Sequence, residues 1–225
     1  MTASARRGSA NASHSVDLVL FAPRGGVLQV LVERSGRAGS SLPWVAPKSG
    51  ETLALAARHL ARRSAGAEPG WIEQLQAFGD QLKHPASVAI SVGYVGVVSG
   101  PAVEGRASAG ATWVSVTHAG LQGRQAAILE AALDTMRWRL DHAPIAFKLL
   151  PATFTLSELQ AMYELLLGWS LHKASFRRSL QAAFLVEPTD EWRSEGRGRP
   201  AQLYRFAPRK RRASRRGVRF DLLGH

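Results

Sequence analysis

Residues 155–206 decide the fold of the second part of this chain: TLSELQAMYELLLGWSLHKASFRRSLQAAFLVEPTDEWRSEGRGRPAQLYRF. The stretch opens on Thr155-Leu-Ser-Glu158, where a hydroxyl and a carboxylate three residues apart cap the first turn of a helix reciprocally. Gly168 then predicts the end of this helix. The residues expected on its buried face, which recur at helical spacing, are Leu156, Leu159, Met162, Tyr163 and Leu166.

A second helix is predicted over residues 173–184, because apolar side chains recur there every four residues. Short strands are predicted at 185–186 and 202–206, on either side of a polar loop at 187–200. Two helices followed by a β-hairpin with a basic tip are typical of a winged helix-turn-helix. The apolar residues of the second helix are Phe176, Leu180 and Phe184.

The second helix of such a motif reads the major groove of DNA with its outward-facing side chains. Phe176 and Leu180 must face inward, so the polar residues beside them face outward. Arginine suits this role because its planar fork pairs with guanine and its charge contacts phosphate. An ordinary solvated helix face beside a basic loop is the alternative interpretation. The candidate DNA-binding residues are Lys173, Ser175, Arg177 and Arg178 on the helix, and Arg197 and Arg199 on the wing.

The charge of the chain favours the same partner. The 225 residues include 29 Lys or Arg and 17 Asp or Glu, a formal net charge of +12. Residues 196–220 contain ten Arg or Lys and no acid. This balance favours nucleic acid first and an acidic membrane surface second. The basic tail at 208–225 is either a solubilising segment or an arm that binds phosphate.

Composition also excludes several classes of protein. The chain has no cysteine, which excludes disulfides, thiolate metal sites and cysteine nucleophiles. The longest apolar run, 88–98, is shorter than the roughly 20 residues that span a bilayer. Residues 1–14 lack the apolar core of a secretory signal and are predicted to be a disordered leader. We expect a cytoplasmic protein associated with the nucleoid.

Alternating strand and helix patterns precede the winged helix. Pro23-Arg24-Gly25 is predicted to turn the chain between the first two strands, and residues 71–78 are ambiguous. Together these patterns indicate a mixed α+β domain at 15–143, followed by a winged helix domain at 144–207. Pro144 and Pro151 indicate a hinge between them. The predicted strands are 15–22, 26–33, 87–98 and 111–116, and the predicted helices are 52–63 and a linker helix at 123–140.

Residues 42–66, LPWVAPKSGETLALAARHLARRSAG, resemble a Nudix box. That pattern runs LPGG, a loop, GES and a helix AAxRELxEExG, and it aligns here without a gap. In the family, glutamates on the helix hold Mg²⁺ against a diphosphate. The matching positions here are Leu60, Arg63 and Ser64, and only Glu51 remains as a carboxylate ligand. The resemblance therefore predicts the Nudix fold without the enzyme activity.

With both parts considered, the chain is similar to the Nudix-related transcriptional regulators of the NrtR type, over about residues 15–206. The resemblance implies a Nudix-like α/β/α sandwich followed by a winged helix, acting as a homodimer on an operator in double-stranded DNA. It also implies a repressor that responds to a nucleotide-like effector such as ADP-ribose. The segments that carry the match are 73–79, 144–151, 154–160, 163–164, 176–178 and 199–206.

Four residues border the position of the family's substrate cleft: Arg34, Trp44, Lys48 and Glu51. Trp44 is expected to stack on a base, and Lys48 or Arg34 to pair with phosphate. In the competing interpretation, Trp44 fills the space of the two missing glycines and the charges are only solvated. The seven histidines are scattered, so neither a metal nor another cofactor is predicted.

Two other functions stay open at this point. One is a Nudix-type hydrolase with a displaced metal site and a basic accessory domain that binds nucleic acid. The other is a non-specific nucleic-acid binder whose arginine-rich tail supplies nearly all the affinity.

Overall fold

A computed structural model describes residues 14–34, 39–79, 84–85, 87–104, 107–194 and 200–207. The predicted leader apart from His14, the wing residues Arg197 and Arg199, and the predicted tail at 208–225 lie outside the described residues. None of the helices in the described ranges has the length and apolar character needed to cross a membrane.

The first part of the chain is built around a seven-stranded sheet. Its strands are β1 (His14–Arg24), β2 (Val27–Arg34), β3 (Ser40–Ser41), β4 (Trp44–Val45), β5 (Trp71–Phe78), β6 (Ile90–Val97) and β7 (Ala111–Ser115). The main order is β3-β2-β1-β6-β5, with β4 also paired to β1 and β7 to β2. Strands β1 and β6 run parallel, and the other pairs are antiparallel. The segment that was ambiguous in the sequence is therefore the edge strand β5.

Strand β1 is buried on both faces, as expected for a strand covered by helices on either side. Its side chains alternate between two apolar clusters, with Leu18 and Leu20 in one and Val19 and Phe21 in the other. The turn after β1 corrects the prediction. Arg24 still pairs with Val27, and the turn is Gly25-Gly26 with φ of 58° and 74°. Two positive φ values suit the tight turns that match the twist of a hairpin.

One helix covers each face of the sheet. Helix α1 (Leu53–Ala65) begins at Thr52, whose side chain accepts a hydrogen bond from the Leu55 N–H, and it packs a stripe of alanines and Leu60 on one cluster. Helix α2 (Gly123–Leu140) has the predicted bounds and packs on the other cluster. The first part is therefore the α/β/α sandwich that the sequence predicted.

The second part is a winged helix. It comprises β8 (Thr153–Phe154), α3 (Leu156–Leu167), α4 (Lys173–Ala183), β9 (Val186–Arg193) and β10 (Ala201–Phe206), with the three strands in the order β8-β10-β9. The predicted capping box is present at the start of α3. The Glu158 N–H donates to Thr155 Oγ1 at 3.1 Å, and the Thr155 N–H donates to Glu158 Oε2 at 2.7 Å.

Two details of the winged helix differ from the sequence prediction. Strand β9 continues to Arg193 through residues predicted as loop, because one face of this hairpin is in solvent and carries polar side chains. Phe184 does not continue the buried stripe of α4. It lies just after the helix with φ of 52°, which turns its side chain outward, and it is 43% exposed.

The two parts share one hydrophobic core. Met136 and Leu140 of α2 belong to the same cluster as Leu159 and Tyr163 of α3. The chain between the helices, where the two prolines predicted a hinge, is packed into this cluster, since residues 145–147 and Leu149 are all buried. Helix α2 therefore belongs to both parts of the molecule.

Candidate nucleic-acid interface and effector cleft

The outer face of α4 carries the predicted basic residues. Phe176 and Leu180 are almost fully buried, which fixes the orientation of the helix. Lys173, Arg177 and Arg178 are exposed. Within the described ranges, neither Arg177 nor Arg178 forms an ion pair, so both guanidinium groups keep their donors for a ligand.

Ser175 has a different environment from its basic neighbours. It is partly buried, and its hydroxyl lies 3.1 Å from Nδ1 of His172, the residue that precedes α4. Since a hydroxyl can both donate and accept, this contact leaves Ser175 able to bond a second partner.

Helix α4 is held firmly by α3. The Phe176 ring packs edge-on against Tyr163, with 5.5 Å between the ring centres. The turn between the helices is tied by polar contacts, because the Leu171 N–H donates to Glu164 Oε1 at 2.8 Å and Gln160 Nε2 donates to the Leu171 carbonyl at 3.0 Å. Such anchoring holds the side chains of α4 in a defined geometry, as base readout requires.

Sequence reasoning overlooked Gln181 on the same helix. It is exposed, and it follows Arg177 by four residues and Arg178 by three, which places it on their face. A side-chain amide matches the donor and acceptor pair of adenine in the major groove. The spacing of these three residues was visible in the sequence and could have identified Gln181.

The described arginines of the wing strands are paired with acids. Arg193 Nη1 lies 2.6 Å from Glu158 Oε1, and Arg205 Nη2 lies 3.4 Å from Glu187 Oε2. Because Glu158 lies in the first turn of α3, Arg193 fastens the wing to the start of that helix. Its neighbour on β9, Trp192, is 57% exposed.

The four residues predicted to border the effector cleft lie at different places in the first part of the chain. Glu51 and Lys48 lie together, since Glu51 Oε2 accepts from the Lys48 N–H at 3.1 Å. Trp44 lies on β4 opposite Asp17, and Arg34 is exposed at the end of β2 opposite Ser40. The structure thus joins two of the four candidates directly.

Glu51 is engaged by its own neighbours. The Lys48 backbone N–H, and next the His59 ring 2.9 Å from Glu51 Oε1, lower the pKa of the Glu51 carboxyl below its usual value. Glu51 is therefore ionised near neutral pH and closes the loop before α1.

A buried polar cluster lies beneath Trp44, and its only trace in the sequence is a lone acid in an apolar strand. Asp17 Oδ1 lies 2.8 Å from His84 Nε2 and accepts from Gln125 Nε2 at 3.3 Å. Asp17 Oδ2 accepts from the Ser15 hydroxyl at 2.6 Å. The Trp44 ring packs edge-on against His84 with 5.4 Å between ring centres. We call Ser15, Asp17, His84 and Gln125 the Asp17 cluster.

The positions that carry metal-binding glutamates in the Nudix box do not offer Mg²⁺ ligands here. Leu60 and Ser64 are buried against the sheet, and Arg63 is exposed. Mg²⁺ prefers carboxylate and water oxygens, which a leucine and a guanidinium group cannot supply. Among the described residues, no group of three or more His, Asp or Glu is placed to hold a metal ion. This donor set does not fit the family's metal.

Comparison with known proteins bears on both parts of the chain. Residues 146–206 match the NrtR DNA-binding winged helix domain family. Over 204 residues, covering 86% of this chain and 81% of the relative, the chain is 28% identical to a protein of Acinetobacter baylyi named ADPR responsive transcriptional repressor NtrR.

Two solved structures of Shewanella oneidensis NrtR have a similar fold. The structure complexed with a 27mer DNA is 27% identical with a TM-score of 0.73, covering 86% of this chain and 93% of that one. The structure of the protein alone is 26% identical with a TM-score of 0.74, covering 87% and 94%. Residues 146–206 therefore match the NrtR DNA-binding winged helix family, and the chain as a whole is similar to NrtR in architecture, with a Nudix-like sandwich followed by that domain.

Proposed function

We propose that this protein is a transcriptional repressor that binds an operator in double-stranded DNA through α4 and the wing. The observation that carries the proposal is the exposed face of α4, where Arg177 and Arg178 have no described acidic partner on a scaffold of the NrtR winged helix family. Lys173 and Ser175 at the start of the helix, and Arg197 and Arg199 on the wing, complete the proposed contact surface. A relative of similar fold was crystallised with a 27mer DNA, which supports this surface as a DNA-binding one.

The repressor acts as a homodimer in this proposal. A two-fold protein reads half-sites separated by one helical turn or a multiple of it, about 10–10.5 bp per turn. Residues 15–143 form the sensing domain, 144–207 the DNA-binding domain and 208–225 a basic arm that adds phosphate contacts. The protein then works at the nucleoid in the cytoplasm.

The sensing domain takes a nucleotide-like effector such as ADP-ribose. The relative from Acinetobacter baylyi is named as ADPR responsive, which supports this ligand class. Trp44 offers an aromatic face for a base, and the exposed Lys48 and Arg34 side chains offer charge for a diphosphate. Glu51 shapes the loop that presents Lys48, through its bond to the Lys48 N–H.

The same domain does not hydrolyse its ligand. Leu60, Arg63 and Ser64 replace the family's glutamates. Both carboxylate oxygens of Glu51 already have partners, the Lys48 N–H and the His59 ring. Incubation of the purified protein with ADP-ribose and Mg²⁺ tests this statement, with no turnover expected. Mg²⁺-dependent turnover that Glu51→Gln abolishes would instead favour the Nudix-type hydrolase.

The DNA-binding proposal is tested by competition at physiological salt. Genome-wide mapping of bound DNA supplies the operator, and the full chain is then titrated with operator and with random duplex. We expect a clear preference for the operator, and Arg177→Ala is expected to weaken operator binding by about 1–3 kcal/mol while random DNA is bound almost as before. Equal affinity of the unaltered protein for both duplexes would indicate a non-specific binder and reject the repressor.

A further inference from the structure

The carboxyl-terminal end of α2 contacts the turn of the helix-turn-helix through one side chain. Arg137 Nε donates to the carbonyl of Leu167, the last residue of α3, at 3.1 Å. The last carbonyls of a helix have no donor within the helix, and their partial negative charge favours a cation. The Arg137 guanidinium also lies over the Trp169 ring, 5.9 Å from its centre, within the range of a cation–π contact.

The backbone of the turn approaches Arg137 closely. Gly168 has φ of 87°, and a Cβ at this position would lie 3.5 Å from Arg137 Nη2. Asp134, one turn earlier on α2, lies 3.8 Å from Arg137 Nη1. Arg137 therefore connects α2 of the sensing domain to the turn between α3 and α4, the proposed DNA-reading helix.

The position of this turn determines the position of α4. Leu171, within the turn, is held by Glu164 and Gln160 of α3, and Phe176 is wedged against Tyr163. These contacts leave the turn and the first half of α4 little freedom to move separately. A displacement of α2 that Arg137 passes to the turn is therefore passed to Arg177 and Arg178.

The amino-terminal end of α2 is tied to the loop that carries the proposed effector residues. Gln125 Oε1 accepts from the Leu42 N–H at 2.7 Å, two residues before Trp44, while its Nε2 donates to Asp17. Helix α2 has 18 residues, so it spans about 27 Å at 1.5 Å per residue. Its inner face is buried along the whole length, with Ile128, Ala132 and Met136 fully enclosed, so it moves as a rigid unit.

We propose that Arg137 is the positioning residue through which effector binding reaches the DNA-reading helix, with Gln125 as the point where the signal enters α2. The inference rests on the proposed function and adds to it the residues that do the coupling. A ligand that contacts Trp44 shifts Leu42 and the Asp17 cluster. Because Gln125 is bonded to both, this shift moves α2 along its axis. Arg137 then pulls on the Leu167 carbonyl and Trp169.

The test uses the full chain, its mapped operator and ADP-ribose as the probe. The quantity measured is the ratio of operator Kd with saturating ADP-ribose to operator Kd without it, in the unaltered protein and in Arg137→Gln. Arg139→Gln is the matched control, because Arg139 lies on the same helix but pairs with Glu73 of the sensing domain. ADP-ribose affinity is measured separately in each variant by calorimetry.

Coupling between two sites commonly changes affinity by about 5–150-fold. We expect Arg137→Gln to keep ADP-ribose affinity within about twofold while its Kd ratio falls to below about threefold, and Arg139→Gln to keep the full ratio. Arg137→Lys retains the charge and is expected to restore part of the ratio. A full ratio in Arg137→Gln, or equal losses in the Arg137→Gln and Arg139→Gln variants, would overturn the proposal.

Failure of the effector assignment gives a different result. If ADP-ribose leaves the operator Kd of the unaltered protein unchanged, the effector part of the proposed function is wrong. The positioning role is then judged by the ratio of operator affinity to random-duplex affinity. Arg137→Gln must lower that ratio by at least about fivefold relative to Arg139→Gln, the low end of common coupling factors, and an equal ratio rejects the role.

Discussion

Helices α1 and α4 are both short, amphipathic and rich in arginine, yet two of the three arginines on α1 are paired with an acid, whereas neither arginine on α4 is paired within the described residues. On α1, Arg58 and Arg62 both pair with Glu68, which lies just after the helix. On α4, Arg177 and Arg178 face solvent without a described acidic partner. An arginine that already has a carboxylate offers less to a polyanion, so the number of arginines on a helix does not by itself indicate a DNA-binding surface.

Truncating a buried side chain on the inner face of either helix should lower the free energy of unfolding by a similar amount. This is the largest effect that we expect. Phe176→Ala removes a fully buried ring from α4 and is expected to lower the free energy of unfolding by about 3–5 kcal/mol. Leu60→Ala on α1 should cost about 2–5 kcal/mol for the same reason. Urea denaturation followed by circular dichroism measures both. Phe184→Ala is the control, because this ring is 43% exposed and its loss should cost much less.

Substitutions on the outer faces of α4 and α1 should differ in their effect on operator binding. Arg178→Ala is expected to weaken operator binding by about 1–3 kcal/mol, because it removes an exposed guanidinium group at the proposed base-reading surface. Arg62→Ala on α1 removes a similarly exposed arginine that is paired with Glu68, and it should leave operator affinity unchanged. Fluorescence anisotropy with labelled operator compares the two. Equal losses would mean that general charge, rather than the free face of α4, drives binding.

The N-terminal caps of α1 and α3 are expected to have a smaller effect on stability. Thr155 caps α3 within a complete capping box, whereas Thr52 caps α1 through one bond of 3.3 Å and has no reciprocal partner. Thr155→Ala is expected to cost about 0.5–2 kcal/mol of stability, and Thr52→Ala to cost less. Thermal denaturation of the two variants under one buffer decides the order. A larger loss for Thr52→Ala would show that the box adds nothing.

The smallest effect concerns pH. Burial tends to raise the pKa of the Glu158 carboxyl, but hydrogen bonds from Thr155 and the nearby Arg193 guanidinium outweigh it and hold the pKa below its usual value. A carboxyl whose pKa is lower in the folded state stabilises the fold above its ordinary pKa of 4.5, and this stabilisation is lost as the pH falls below that value. Glu158→Gln should therefore flatten the decline in stability at acid pH. A matching decline in both proteins would remove Glu158 from the explanation.

The features that sequence predicted well are those with local causes. The start of α3 follows from two side chains three residues apart, and the bounds of α2 follow from an apolar stripe in one continuous segment. The basic residues placed on the outer face of α4 follow from the same periodicity. Their contact with DNA remains a prediction, because it depends on a partner outside the chain.

The features that sequence missed depend on pairs far apart in the chain. The contact of Asp17 with His84 joins residues separated by 67 positions, and that of Gln125 with Leu42 joins residues separated by 83. Short-range periodicity carries no information on such pairs. Strand β9 was missed for another reason, since its polar residues face solvent and lack the apolar alternation of a strand.

Glu158 performs two tasks at one position, and this limits how the winged helix can be altered. Its carboxylate closes the start of α3 with one oxygen and holds Arg193 of the wing with the other. A wing grafted from another regulator would bring its own loop but lose this anchor unless it also carried an arginine at the position of Arg193. Exchanges of wing sequence intended to change operator preference should therefore keep the Glu158–Arg193 pair and vary only the residues beyond it.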